Sequence, residues 1–226
     1  VELSSSTGSG TLSQAVALTP TLVFVAFYGG GGVQAMLCTV SGDNITPGVA
    51  TKISSRTGKL TVINLSESSV LVITGGDVRA VVCTISNGVI SAGEEVVVAT
   101  GAYSDIATKR FGAVAVASDS VFLAYQRVAE GASTYGGLYA IMLSVSGSVV
   151  TASLPTLITS DSVGYTGDPV ACLSAPGKVF LAYRSVPNSS MYGVLCSVYG
   201  TTISVGTPAP ILQGQSIPPT AVAALD

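Results

Sequence analysis

The chain has no histidine and no tryptophan, and only 9% of its 226 residues are charged, against a usual share of about 25%. Each scarcity excludes something. Without imidazole there is no Ser–His or Cys–His nucleophile pair and no histidine-ligated metal. Nine lysines and arginines against twelve acids leave a net charge of −3, which is no footprint for a nucleic acid. Long hydrophobic runs are missing too. Leu22 to Phe27 is far shorter than the ~18 residues of a spanning helix. The short strands are apolar on both faces, unlike the long apolar-out, polar-in strands of a membrane barrel. With 48% hydrophobic residues, so few charges also argue against disorder.

What is present is glycine, serine, tyrosine and a repeat. Four segments align without gaps: Cys38 to Gly48, Cys83 to Gly93, Leu143 to Ser153 and Cys196 to Gly206. Each is an apolar strand, a Ser/Gly/Asn turn and a second strand, the pattern of a tight β-hairpin. The copies are spaced 45, 60 and 53 residues apart. Upstream of each hairpin lies another strand: Phe24–Phe27, Leu71–Thr74, Phe122–Tyr125 and Phe180–Tyr183. Before that comes a fourth: Ala15–Leu18, Thr61–Leu65, Ala113–Ala117 and Val170–Leu173. Every unit therefore reads as a four-stranded antiparallel meander.

Four strands per unit, repeated about every 50 residues, predict an all-β chain folded as a β-propeller. A single meander cannot bury both faces, and radial stacking against its neighbours does. The alternative is a β-sandwich or jelly roll. The expected repeat units are residues 11–55, 59–100, 111–160 and 168–213 of one domain 1–226. Val1 to Leu3 reads as the tail of a fourth strand and Ala221 to Leu225 as a first strand. A partial unit from 1–6 and 219–226 is thus expected, as part of a longer propeller.

Val121 to Tyr125 with Gly136 to Gly147, and Val179 to Tyr183 with Tyr192 to Gly200, resemble a repeat of bacteriophage tail and fibre proteins. The pattern is Val-Phe-Leu-Ala-Tyr, a Gly/Ser/Tyr-rich loop, and a strand ending near Ser-Val-Ser-Gly. That resemblance implies an extracellular or virion component that contacts a host or builds the particle. Other propeller signatures are absent. The Trp-Asp repeat and the sialidase Asp box need tryptophan, and the Gly75-Gly76 and Gly136-Gly137 pairs lack a kelch context.

In such a meander, the loops between second and third strands share one face with the loops between units. These are the long, variable connections, and variable loops on a regular scaffold are where function concentrates. Eight of the nine tyrosines fall in or beside them. Tyr103, Tyr135, Tyr165 and Tyr192, with Arg127 and Arg184, are the expected ligand contacts, because a tyrosine ring stacks on a sugar while its tip hydrogen-bonds. Tyr125 and Tyr183 sit at equivalent strand ends and are expected to pack. The expected function is non-enzymatic: a tail-fibre or receptor-binding module that recognises a surface glycan or a neighbouring virion protein, within an oligomeric assembly. The alternative is a purely structural subunit. Neither nucleic acid nor membrane insertion is expected.

Chemistry beyond binding is thinly supported. Asp161 and Asp168 lack a calcium-loop spacing. A glycosidase would need Asp105 brought against one of them. Gly29–Gly32 precedes no helix and reads as a turn, not as a phosphate loop. No cofactor and no metal are expected. Cys38, Cys83 and Cys196 share one repeat position, filled by Leu143 in the third copy, so they are expected as buried free thiols, together with Cys172.

Overall fold

The computed structural model describes residues 13–56, 58–75, 77–99, 111–127, 137–160, 169–185 and 190–213. The expected terminal unit, 1–6 with 219–226, lies outside these residues. The described residues form four antiparallel sheets. The first holds β1 (Ser13–Thr19), β2 (Leu22–Gly29), β3 (Gly32–Ser41), β4 (Asn44–Pro47) and β5 (Thr51–Ser54). The second holds β6 (Leu60–Ser66), β7 (Ser69–Thr74), β8 (Val78–Ser86), β9 (Val89–Ala92) and β10 (Val96–Ala99). The third holds β11 (Phe111–Ala117), β12 (Ser120–Gln126), β13 (Leu138–Ser146), β14 (Val149–Ala152) and β15 (Thr156–Thr159). The fourth holds β16 (Val170–Ala175), β17 (Lys178–Ser185), β18 (Ser190–Tyr199), β19 (Thr202–Val205) and β20 (Ala209–Leu212).

Each sheet is a meander, but its outer edge differs from the expected single fourth strand. Two short strands pair with the third strand in every unit. The register explains the break. Cys38 pairs with Pro47 and Ala35 with Thr51, so two residues on β3 face three on the edge. That is a β-bulge, which bends the strand and strengthens its twist. The same bulge recurs in all four sheets, pinned each time by a backbone bond: Gly48 to Leu37, Gly93 to Val82, Ser153 to Met142 and Gly206 to Leu195. A hydrophobic pattern cannot show it, because the extra residue lies on the exposed edge.

The hairpin turns between third and fourth strands follow local chemistry. Asn87 and Gly88 take φ of 51° and 74°, the left-handed pair that a two-residue turn joining twisted strands requires. Both turn types on this face, 20–21 in the first unit and 42–43 after it, are two residues long.

The sheets stack in a row through three apolar interfaces. Phe24, Ala26, Leu37 and Ile53 of the first meet Val70, Val72, Cys83 and Ile90 of the second. Leu71, Ile73 and Val82 meet Val121, Leu123 and Leu143 of the third. Phe122, Ala124 and Met142 meet Val179, Leu181 and Cys196 of the fourth. The second strands of blades two and three, β7 and β12, are thus buried on both faces, which is why they read as unbroken apolar runs. The first strands lie side by side, β1 on β6, β6 on β11 and β11 on β16. Asn64 Nδ2 bridges two of them, donating to the Ala17 carbonyl at 2.9 Å. No comparable contact joins β16 back to β1 among the described strands. All four cysteines are free thiols; Cys38, Cys83 and Cys196 are buried and Cys172 is half-buried.

Candidate functional site

The strand ends opposite the two-residue turns carry the polar and aromatic chemistry. At these ends the repeat places equivalent cross-strand pairs: Phe27 with Gln34, Thr74 with Arg79, Tyr125 with Tyr139 and Tyr183 with Tyr192. One register therefore sets out four equivalent pairs along one face, two of them Tyr–Tyr.

In the third sheet, the buried Tyr125 ring lies 6.4 Å from that of Tyr139, tilted by 31°. The guanidinium of Arg127 sits 5.7 Å above the Tyr139 ring, a cation–π distance. Arg127 is exposed, and its backbone N–H donates to the Gly137 carbonyl at 3.1 Å, which ties the loop at its root. Burial pushes the Tyr125 phenol up; Arg127 acts against that and Tyr139 with it.

In the fourth sheet, Tyr192 stacks on Tyr183, with centroids 6.0 Å apart and planes at 16°. Tyr183 is buried and Tyr192 is half-buried against the interface with the third sheet. Arg184 follows on β17 with only 9% of its surface exposed. Arg127, Tyr192 and Arg184 are thus all near this end, but only Arg127 is open to solvent. Tyr103, Tyr135 and Tyr165 lie outside the described residues, as do Asp105, Asp161 and Asp168. Tyr125 and Tyr183 pack, as their equivalent positions predict.

A second group spans the first and second sheets. The Ser54 hydroxyl donates to Glu95 Oε1 at 2.6 Å. The other carboxylate oxygen lies 3.8 Å from both Arg56 and Arg79. Ser54 also accepts the Arg56 backbone N–H at 3.0 Å. Glu95 stands at the edge bulge between β9 and β10, so the bulge aims its carboxylate across the interface. Sequence reasoning missed Arg79 and Glu95. The available signal was their rarity: Arg79 is a lone charge on an otherwise apolar strand and Glu95 one of the chain's few carboxylates. Nearby, Tyr28 donates to the Lys59 carbonyl at 3.4 Å, and burial lifts its phenol to about 12. It is a fixed donor at neutral pH, bridging the two sheets.

The opposite face has a depression of about 430 Å³ between the turns of the third and fourth sheets. Asp119, Ser144, Ser146, Thr151 and Thr201 line it. Among the described residues no group of three or more cysteines and carboxylates could hold a metal ion, and no helix is long and apolar enough to cross a membrane.

No family model matches the chain, and no curated protein does. Among solved structures it is similar to the Hadza microbial sialidase Hz136, with a TM-score of 0.52 and 9% identity. The match covers 90% of this chain and 46% of the sialidase. The fold is that of a β-propeller. The four sheets are its blades, and the chain spans about half the length of the sialidase it matches. At this identity the likeness is one of fold alone, since folds host many unrelated functions.

Proposed function

We propose that the chain is a non-enzymatic propeller module of an extracellular or virion appendage, and that its long-loop face recognises a surface glycan. The observation that carries this is the Arg127–Tyr139–Tyr125 group on one blade beside Tyr183–Tyr192 on the next. An exposed guanidinium stacked over a tyrosine offers a sugar a planar surface with N–H donors at its edge. Tyr103, Tyr135 and Tyr165, outside the described residues, fall in the sequence segments that connect β10 to β11, β12 to β13 and β15 to β16. The tail-fibre resemblance of the blade motif supports the appendage setting. The lack of histidine and the scarcity of carboxylates support binding without turnover.

The test is a binding screen of the folded chain against bacterial surface glycans. The variants are Arg127→Ala, Tyr135→Ala with Tyr192→Ala, and Asp119→Ala in the depression on the far face. The expected result is a Kd weakened about tenfold or more by the first two and unchanged by the third. No binding at all, or binding lost only with Asp119→Ala, refutes the assignment of this face.

A further inference from the structure

Three positions recur at every contact between blades. Two belong to the blade that comes first: one on its third strand and one past its edge bulge. The third is on the edge strand of the blade that follows. Between blades one and two they are Leu37, Ile53 and Ile90. Between two and three they are Val82, Val98 and Val150. Between three and four they are Met142, Ile158 and Ile203. In each case the edge strand of the later blade lies against the third strand of the earlier one. None of these nine side chains is more than 7% exposed.

A fourth such triad exists in the chain, with its members divided between the two ends of the row. Blade four supplies Leu195 and Ile211, and blade one supplies Ile45. They are 45%, 49% and 57% exposed. Register makes them equivalent to the buried sets: Gly193 pairs with Ala209 as Ala35 pairs with Thr51, and Val198 with Ile203 as Val40 with Ile45. Their exposure therefore follows from position in the row and not from a change of residue type. Other residues of blade one's outer face, Val25, Phe27, Met36 and Cys38, form a buried cluster of their own. The open part of that end is the rim at Ile45.

We infer that blade four of one copy receives blade one of a second copy, Ile45 seating against Leu195 and Ile211 as its counterparts do inside the chain. Three internal examples of this rim contact, each between blades of this chain, argue for a second copy as the occupant; the second- and third-strand part of those contacts is not repeated, since Val25, Met36 and Cys38, the counterparts of Val72, Val81 and Cys83, are already buried. The interface is heterologous, head to tail, so it generates a closed ring or a filament according to the angle between blades. The inference does not depend on the ligand of the loop face.

Sedimentation velocity on the full chain across a concentration series tests it. The expected result is a mass of two or more chains for the wild type, falling to one chain with Leu195→Asp and, separately, with Ile45→Asp. Leu154→Asp, at a side chain 88% exposed and outside the triad, associates like the wild type. Mixing the two monomeric variants restores association but stops at the two-chain mass, because each retains only one intact end. Circular dichroism shows that the variants are folded, and Ile211→Asp replaces Leu195→Asp if that one is not. A wild-type chain that stays monomeric near millimolar concentration overturns the inference. So does association that survives both substitutions, or a mixture that stays monomeric.

Discussion

Alkaline pH is expected to destabilise this protein steeply, through its buried thiols. Cys83 and Cys196 are fully buried between blades. Burial disfavours the thiolate and lifts their pKa from 9.0 to about 12 and about 11. The folded values lie above the unfolded one, so the stabilising contribution is complete below about pH 9. It is lost as pH rises towards the folded values, because the unfolded chain then releases protons that the folded chain keeps. At about pH 10 each thiol contributes between about 1 and 2 kcal/mol against folding, or about 3 kcal/mol for the pair. That is a large share of a total stability of about 5–15 kcal/mol. Burial raises Cys38 and Tyr28 as well, in the same direction. Urea unfolding followed by far-ultraviolet circular dichroism at about pH 8 and about pH 10 measures the loss. Cys83→Val with Cys196→Val keeps apolar bulk at positions where the third blade has Leu143, and removes both titrations. The variant is expected to lose about 3 kcal/mol less than the wild type over that interval. Equal pH slopes in the two proteins refute the reasoning.

Two more predictions follow from the packing. A Cβ at Gly112 would clash with the Pro169 carbonyl oxygen, where the inner strands of blades three and four meet. Gly112→Ala is expected to cost about 1–3 kcal/mol, and an unchanged melting temperature would contradict that close approach. Under native conditions a maleimide is expected to label Cys172 first, since it alone is half-exposed while Cys38, Cys83 and Cys196 are buried. All four are expected to react in denaturant. Peptide mass spectrometry that finds Cys83 or Cys196 modified as fast would place those thiols outside the core.

The blade plan was legible because its causes are local. Strands covered on both faces must be apolar throughout, and tight turns need residues such as Asn87 and Gly88 at positive φ. Those demands write themselves into Leu71–Thr74 and its three counterparts without reference to distant residues. The packing of Tyr125 and Tyr183 was readable for the same reason, from equivalent places in a repeat.

Other features depend on which residues the fold brings together. The edge bulge is a matter of register between two strands, and its extra residue faces solvent, so it leaves no mark on the apolar pattern. Arg79 and Glu95 are separated in sequence from Ser54 and Arg56 and meet only because two blades stack. Tyr192 reads as a loop residue, yet the register of β17 and β18 lays it on Tyr183. Ile45 and Ile90 are the same residue at the same point of the same motif, and only the presence of a preceding blade buries one and leaves the other exposed. The amino-acid sequence by itself determines the strand, the turn and the apolar face of each blade, because each is settled by neighbours a few residues away. Tertiary structure decides which faces are covered and which charges meet, because those depend on residues from different blades.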